Sequence, residues 1–469
     1  MGIVAAFMVP HPPMIVPDVG RGSELQIQET INAYEQVARE IADIAPDTII
    51  ITSPHTTMYS NYFHISPGQK AVGDFGNFRA PGVSFEEKYD YELVNKLTDK
   101  LSEDDFPAGI EGEQDRELDH GTMVPLYFIR KFYKGGKIVR IGLSGLSLID
   151  HYQLGMYIKD AVNELGRKAV FVASGDLSHK LQEYGPYGFV KEGPVYDERI
   201  MDVAGRGAFG EMLDFDEEFC DKAAECGHRS FVIMSGAFDG IDVEAKALSH
   251  QDVTGVGYGI CTFYPKESVG TKDPERCFLD KVMTKLEEEK AKSDGYVKLA
   301  RASLESYIKI GKRLSVPKDI PDEILKELPA EIFEKRAGAF VSIHKNGELR
   351  GCIGTIAPTT SSLAEEIVRN AISASTQDPR FEAITEDELK WLEINVDVLG
   401  EPEDIDSKDQ LDVKRYGVIV TCGYKRGLLL PDLEGVDDVD TQVSIAMQKG
   451  GIRPSDDYTL QRFEVIRHK

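Results

Sequence analysis

The feature that most constrains the fold of this chain is an alternation of short apolar runs and amphipathic helical segments before residue 266. Residues 2–9 and 48–52 are apolar runs that each end close to a proline, and residues 168–174 form a third such run. Residues 23–44 repeat their apolar side chains at helical spacing instead. Strands separated by helices of this length build sheets that are covered on both faces. The sequence therefore predicts an α/β fold for residues 1–266, with a central β-sheet flanked by helices.

The pattern changes after a hydrophilic segment, residues 267–294, which we interpret as a linker. Beyond it, two strand-like runs, residues 339–344 and 349–356, flank the dipeptide Asn346-Gly347. Asn-Gly favours the tight two-residue turn of a β-hairpin. The sequence therefore predicts a separate α+β domain with antiparallel strands over residues 295–469.

Charge and composition exclude several classes of protein. The chain carries 54 Lys and Arg against 80 Asp and Glu, and this formal net charge of −26 makes it a poor general binder of nucleic acid or anionic membranes. No apolar run reaches the roughly 18–20 residues of a membrane-spanning helix. Six cysteines without a CxxC pair are typical of a reducing compartment. We therefore expect a cytoplasmic protein without nucleic-acid or membrane partners.

Familiar motifs of several enzyme classes are absent from the sequence. It contains no GxxxxGK phosphate loop, no HExxH helix, no GxSxG turn and no CxxxCxxC cluster motif. The histidines are the remaining source of chemistry, and eight of the ten precede residue 266.

Three of these histidines follow predicted strands. His11 comes about two residues after the run 2–9, His55 three residues after the run 48–52, and His179 five residues after the run 168–174. In open α/β sheets, ligands bind outside the carboxyl ends of the strands. If the strands are neighbours, the three imidazoles meet at one edge of the sheet, where they can bind a metal or transfer protons. The alternative is that they are ordinary loop histidines.

A third metal ligand is expected just before the predicted helix 230–238, where Glu225, Cys226 and His228 lie. Two histidines and one carboxylate are the ligands of many non-haem Fe(II) sites, which keep positions open for substrate and dioxygen. The alternative is a polar helix start without a ligand. His120, within DHG (119–121), either begins a helix or faces the same cleft.

Four short segments, in this order, resemble the class III extradiol ring-cleavage dioxygenases, the family typified by the catalytic subunit of protocatechuate 4,5-dioxygenase. They are VPHPP (9–13), SPH (53–55), DHGTMVPL (119–126) and SGDLSH (174–179). The resemblance covers roughly residues 1–265 and extends to the Memo-like proteins, which share the scaffold. It implies an Fe(II)-dependent oxidoreductase that acts on a catecholic or related small substrate.

The resemblance also implies roles for individual residues. His11 and His55 resemble the two iron-binding histidines of the dioxygenases. His179 matches their catalytic base, and in the Memo-like proteins the equivalent histidine approaches the metal. His120 matches a histidine that contacts a substrate oxygen.

The third ligand differs between the two families, because the dioxygenases supply Glu and the Memo-like proteins supply Cys. The segment AECGH (224–228) partly fits both. Glu225 is the first choice, Cys226 the second and His228 the third. A cysteine ligand would favour zinc or another divalent metal over iron.

The second domain has its own motifs. LRGCIGT (349–355) and DPRF (378–381) resemble the AMMECR domain over roughly residues 290–469. Arg350 and Cys352 lie two residues apart on a predicted strand and so face the same side, and Arg380 is a candidate to join them. A guanidinium beside a thiol favours the thiolate, which indicates an anion site or a reactive thiol. The alternative is that Cys352 is a buried filler residue.

Together the two domains resemble the AmmeMemoRadiSam systems, in which such domains work with a separate radical-SAM enzyme. Two alternatives to ring cleavage therefore stay open. The first is another metal-dependent reaction on a peptide or metabolite, carried out with a radical-SAM partner. The second is a non-catalytic Memo-like binding module. A homo-oligomer is compatible with each of these functions.

Overall fold

The computed structural model describes residues 2–114, 117–266, 276–433 and 435–469. The chain divides into two compact units, Met1–Lys281 and Val282–Lys469. Among the described residues, none of the helices combines the length and the apolar character that crossing a membrane requires.

Strands and helices alternate along much of the N-terminal unit. Its described strands are β1 Ile3–Val9, β2 Thr48–Ser53, β3 Phe63–His64, β4 Lys70–Phe75, β5 Ala80–Lys88, β6 Ala108–Gly109, β7 Lys137–Gly142, β8 Ala169–Ser174, β9 Val243–Gln251 and β10 Tyr258–Pro265. Its helices are α1 Pro17–Gly20, α2 Gln28–Ile44, α3 Tyr91–Glu103, α4 His120–Phe132, α5 Leu148–Glu164, α6 Glu192–Arg206, α7 Glu217–Ala223 and α8 His228–Gly236.

The central sheet has six strands in the order β7-β2-β8-β1-β10-β9. The strands β7, β2, β8 and β1 pair in parallel, whereas β10 and β9 are antiparallel to their neighbours. Two short ribbons, β3 with β6 and β4 with β5, lie outside this sheet.

Both faces of the central sheet are buried, because successive side chains of a strand point to opposite faces. On β1, Ala6 and Met8 pack into one hydrophobic core, while Phe7 and Val9 pack into the other. Helix α5 packs in the first core and helix α2 in the second. This arrangement confirms the predicted α/β fold with helices on both faces.

Residues 276–294 of the predicted linker include helix α9, Phe278–Lys292, whereas residues 267–275 lie outside the described residues. In the C-terminal unit the helices are α10 Gly295–Ile310, α11 Asp322–Glu327, α12 Leu363–Thr376 and α13 Val439–Lys449. The strands are β11 Ala339–Lys345, β12 Glu348–Gly354, β13 Leu392–Leu399, β14 Glu403–Ile405, β15 Tyr416–Cys422, β16 Lys425–Leu429 and β17 Thr459–His468.

The strands of the C-terminal unit form one antiparallel sheet in the order β12-β11-β13-β17-β15-β16, with β14 beside β17. Helices α10 and α12 pack on one part of it, and α13 packs on β15 and β16. The predicted hairpin is present, since Asn346 and Gly347 both have positive φ angles (56° and 85°) between β11 and β12. The predicted α+β fold with antiparallel strands is confirmed.

Candidate metal centre

Three neighbouring parallel strands deliver side chains to one edge of the central sheet. Strand β8 pairs in parallel with both β1 and β2, so the loops that follow all three strands leave the sheet at the same edge. His11 follows β1, His55 follows β2, and His179 follows β8. Cys226 reaches this edge from the turn that precedes α8.

The structure brings His11, His55 and Cys226 together. One ligand atom from each residue lies within 4.8 Å of the others, which is the spacing of a group that could hold a metal ion. The Nε2 atoms of His11 and His55 are 2.9 Å apart, and the Sγ atom of Cys226 is 3.6 Å from Nε2 of His11. Of the three candidates for the third ligand, Cys226 is therefore the one that joins the two histidines.

Hydrogen bonds orient the imidazole of His11 so that Nε2 faces this group. Ser174 Oγ donates its proton to the carbonyl oxygen of Gly121 at 2.6 Å, so it can only accept from Nδ1 of His11, which is 3.0 Å away. The proton of the neutral ring therefore resides on Nδ1, and Nε2 keeps its lone pair. Burial, followed by the charges of the neighbouring histidines, holds the pKa of His11 well below its usual value.

Asp176 is a member of the site that the histidine pattern did not identify. Its Oδ1 atom accepts a hydrogen bond of 2.7 Å from the backbone N–H of His11, and its own backbone N–H lies 3.3 Å from Sγ of Cys226. Burial raises the pKa of Asp176 to about 7, against the lowering effect of the His11 N–H. Asp176, His179 and Cys226 form a second group whose ligand atoms lie within 4.8 Å of one another. The segment SGDLSH contained this signal, since it places an aspartate directly after Gly175.

Two glycines allow the loop after β8 to reach the turn before α8. A Cβ atom on Gly175 would lie 2.0 Å from Cα of Gly227, and a Cβ atom on Gly227 would lie 2.9 Å from the backbone of Gly175. This close approach places Asp176 against Cys226, 50 residues later in the chain.

His179 lies beside the group with one ring nitrogen unused. Its Nε2 atom is buried and has no hydrogen-bond partner among the described residues. The ring of Tyr187 stacks on it with 5.2 Å between the centroids. Burial, and then the charge of His55, lowers the pKa of His179 to about 4. The imidazole is therefore neutral at pH 7, and the same burial disfavours its protonated form.

His120 begins helix α4, and its ring stacks on His55 with 4.0 Å between the centroids. Asp119 caps the helix by accepting from the N–H of Thr122. Burial, and then the charge of His55, lowers the pKa of His120 to about 4. His120 therefore starts a helix and also lies against the histidine pair.

A cavity of about 740 Å³ opens beside the rings of His55 and His120. Phe78, Leu118 and Met123 give it apolar walls, and it is also lined by carboxylates such as Asp74. Its volume is within the range of about 300–1,000 Å³ that is usual for small-molecule sites.

Glu225, the first choice from the sequence, does not join His11 and His55. Its Oε2 atom accepts a hydrogen bond of 2.5 Å from the backbone N–H of His228. His228 also faces away from the group, because Nε2 bonds to the carbonyl oxygen of Met212 at 2.9 Å. Adjacent residues in this turn point in different directions, so Glu225 holds the start of α8 while Cys226 faces the histidines.

The second-domain candidates are arranged around two carboxylates. Arg350 donates to both carboxylate oxygens of Glu388 at 2.9 Å each, so this guanidinium is already paired. Arg380 pairs with Asp378, whose Oδ2 atom also accepts a hydrogen bond of 2.9 Å from the backbone N–H of Cys352. The structure therefore brings Arg380 and Cys352 together through Asp378, whereas Arg350 is bound by Glu388.

The comparison with protein families agrees with both domains. The family described as "Catalytic LigB subunit of aromatic ring-opening dioxygenase" matches residues 5–261, and the family described as "AMMECR1" matches residues 297–468.

Similar proteins cover the whole chain or part of it. A protein of Clostridium acetobutylicum is 42% identical over 478 residues, with 100% of both chains covered. A protein of Thermotoga maritima is 50% identical over 176 residues, which cover 37% of this chain and 97% of the relative. The crystal structure of an uncharacterized protein from Pyrococcus horikoshii is 31% identical with a TM-score of 0.33, and covers 37% of this chain and 89% of that one. The chain therefore belongs to the family of the catalytic LigB subunit of aromatic ring-opening dioxygenase, and carries an AMMECR1 domain in addition.

Proposed function

We propose that the N-terminal unit is an Fe(II)-dependent oxidoreductase of the ring-opening dioxygenase type, acting on a catecholic or related small aromatic substrate. The observation that carries the proposal is the convergence of His11 Nε2, His55 Nε2 and Cys226 Sγ within 4.8 Å. Family membership supports the reaction type, and the neighbouring cavity supports a small substrate.

Two of the three separations between the donor atoms match those that one divalent ion requires, and the third is within 4.8 Å. Metal–nitrogen bonds of about 2.0–2.1 Å at angles between 90° and tetrahedral separate two nitrogens by about 2.9–3.4 Å. The His11–His55 separation is 2.9 Å. A metal–sulfur bond of about 2.3 Å similarly predicts a sulfur–nitrogen separation of about 3.1–3.6 Å, and Cys226 lies at 3.6 Å from His11. The residues therefore fit a metal held by His11, His55 and Cys226.

When bound, such a metal supplies a Lewis acid and a route for electrons at an open site. We assign His179 as the group that accepts a proton from a substrate hydroxyl, because its buried Nε2 atom has no hydrogen-bond partner among the described residues. His120 donates a hydrogen bond to a substrate oxygen, since its ring lines the cavity beside His55. Phe78 and Met123 pack against the aromatic ring and exclude water from it.

Cys226 favours a second candidate function. Thiolate ligands select softer metals such as zinc, and zinc has no redox chemistry. If the site takes zinc, a different metal-dependent reaction on a peptide or metabolite is the better proposal. For this case we propose that the protein works beside a radical-SAM enzyme, as the resemblance to the AmmeMemoRadiSam systems implies.

Metal loading followed by oxygen uptake tests the proposal. The full chain would be purified without oxygen, loaded with Fe(II) or with zinc, and given a panel of catechols. We expect one metal per chain and oxygen consumption with the iron form only. Full iron occupancy without oxygen uptake for any diol contradicts ring opening and supports the second candidate. Failure to bind any metal leaves a binding module as the function.

Two variants test the ligand assignment. Cys226→Ala is expected to lose metal, because it removes the thiol beside His11. Glu225→Gln is the matched control, because an amide oxygen can still accept the N–H of His228 at the start of α8. Metal loss in Glu225→Gln, but not in Cys226→Ala, would restore Glu225 as the ligand.

A further inference from the structure

The N-terminal unit contains a second cavity, of about 1070 Å³, beside strand β5. Residues 82–88 of this strand all line it. Successive side chains of a strand point to opposite faces, so a cavity on one face would contact only every second residue. Because this cavity contacts every residue from 82 to 88, it lies along the edge of the strand.

This edge of β5 has no strand beside it among the described residues. The other edge pairs with β4, from Lys70 opposite Lys88 to Asp74 opposite Ser84. Strand β7 approaches only beyond the end of β5, where Tyr89 forms a single bridge with Ile138. An unpaired edge presents a row of backbone N–H and C=O groups that can bind an extended peptide as an additional strand.

The cavity is basic although the chain carries a net charge of −26. Six cationic side chains line it, against four carboxylates. Arg130 pairs with Glu87, and Arg167 pairs with Asp90, so these four charges cancel.

Three of the remaining cations lack an acidic partner. Within the part of the chain that the structure describes, Lys88, Lys134 and Lys137 form no ion pair with a carboxylate. Lys88 stands opposite Lys70 across the ribbon, but Lys70 is itself paired with Glu86, so the excess positive charge rests on Lys88, Lys134 and Lys137. An anionic ligand would relieve this excess of positive charge.

We propose that this cavity binds an acidic polypeptide segment in extended conformation, which pairs with the open edge of β5 and places carboxylates near Lys88, Lys134 and Lys137. Seven residues of strand edge span about 23 Å at about 3.3 Å per residue, a length that suits a peptide strand better than a single small anion. Ser84 and Phe85 line both this cavity and the one beside His55. The bound segment would therefore lie next to the cavity that His55 and His120 line, with β5 between the two.

The probe is a fluorescently labelled peptide of about eight residues that alternates threonine and glutamate, a length typical of strands. Fluorescence anisotropy with the full chain is expected to show saturable binding that weakens as salt is added. A version of the peptide that is N-methylated at every residue has the same charge but no backbone N–H group on either edge, so it cannot form the hydrogen-bond pattern of an added strand. It is expected to bind at least about tenfold more weakly. Equal binding of the two peptides would overturn the proposal.

Charge-reversal variants locate the site on the protein. Lys134→Glu combined with Lys137→Glu is expected to weaken binding of the unmodified peptide at least about tenfold. Lys191→Glu combined with Lys246→Glu is the matched control, because it changes the net charge by the same amount at two exposed residues that do not line the cavity. An equal loss in the control would show that only overall charge matters, and would also overturn the proposal.

Two further results would assign the cavity differently. If, at constant ionic strength, inorganic phosphate displaces the labelled peptide as readily as the unlabelled peptide does, the cavity is a site for small anions. Light scattering could show that the wild type is a dimer that does not bind the peptide and that the lysine reversals dissociate. This result would make the cavity an interface between two copies of the chain. Either result contradicts an acidic peptide as the occupant.

Discussion

Replacing Gly175 by alanine tests whether the candidate site depends on close contact between two loops. A Cβ atom at this position would lie 2.0 Å from Cα and 3.0 Å from the backbone nitrogen of Gly227. Because these are backbone atoms, rotation of a side chain cannot relieve the clash. Overpacking a well-packed region lowers the free energy of unfolding by about 1–3 kcal/mol. Because the atoms around Gly175 cannot move aside, we expect Gly175→Ala to lower it by about 3 kcal/mol.

Calorimetry of the full chain measures the effect. A domain of 150–250 residues loses about 2–4 °C in Tm per kcal/mol, so we expect the N-terminal unit to unfold about 6–12 °C lower. Metal affinity is expected to fall as well, because the clash separates Asp176 from the turn that holds Cys226. Gly82→Ala is the control, since a Cβ atom there has no heavy atom within 4 Å. Its free energy of unfolding should change by less than about 0.5 kcal/mol.

The two alanine variants give a clear refutation. If Gly175→Ala and Gly82→Ala unfold at the same temperature and bind metal equally well, the loops can separate without cost. The close approach of the glycines would then not be what assembles the site.

Three further predictions concern single side chains. Ser174→Ala removes the acceptor for Nδ1 of His11 and is expected to weaken metal binding about 10–100-fold, as measured by metal titration; unchanged affinity would show that the serine does not orient the ring. Although burial alone would raise the pKa of Glu366, its hydrogen bonds from threonines lower that pKa from 4.5 to about 2. The stabilisation that comes from these hydrogen bonds is present above pH 4.5 and is lost as the pH falls towards 2. The free energy of unfolding of the C-terminal unit should therefore depend less on pH between 4.5 and 2 in Glu366→Gln than in the wild type. The same pH dependence in both proteins would contradict this prediction. Arg350→Met removes the two hydrogen bonds that Arg350 donates to Glu388 and leaves Lys345, at 3.5 Å, as the ion-pair partner of that carboxylate. The free energy of unfolding of the C-terminal unit, measured by denaturant titration, should fall by about 1.5–3 kcal/mol; a change below about 0.5 kcal/mol would show that the pair is not needed.

The histidines of the site could be predicted because their placement follows from strand topology. His11, His55 and His179 each follow a strand of the parallel part of the sheet, and parallel neighbours present their carboxyl ends at one edge. The alternation of elements and short distances along the chain are sufficient for this placement. Those features are encoded locally.

The third member of the group could not be chosen in the same way. Glu225 and Cys226 are adjacent, and their side chains point to different surroundings only because Glu225 accepts the N–H of His228. The contact between Asp176 and Cys226 also joins segments 50 residues apart. The first relation spans three residues, but the second has no signature in local composition or spacing.

In the second domain, too, the sequence predicted where residues lie but not which partners they bind. The two-residue spacing of Arg350 and Cys352 on a strand predicted that they share a side, but the partner of the guanidinium is Glu388, 38 residues further along the chain. A carboxylate that arrives from another segment binds the arginine more strongly than a neutral thiol would. Ion pairing between distant segments therefore decides which groups remain available for chemistry.

The sequence by itself determined the class of each domain, the hairpin at Asn346-Gly347 and the strand ends at which the histidines stand, because periodicity and turn preferences act over a few residues. Tertiary structure alone decided that Cys226 and Asp176 accompany the histidines, and that, among the residues the structure describes, one edge of β5 has no neighbouring strand and lies beside lysines without an acidic partner. These outcomes depend on where separate segments meet, and that is set by packing across the whole unit.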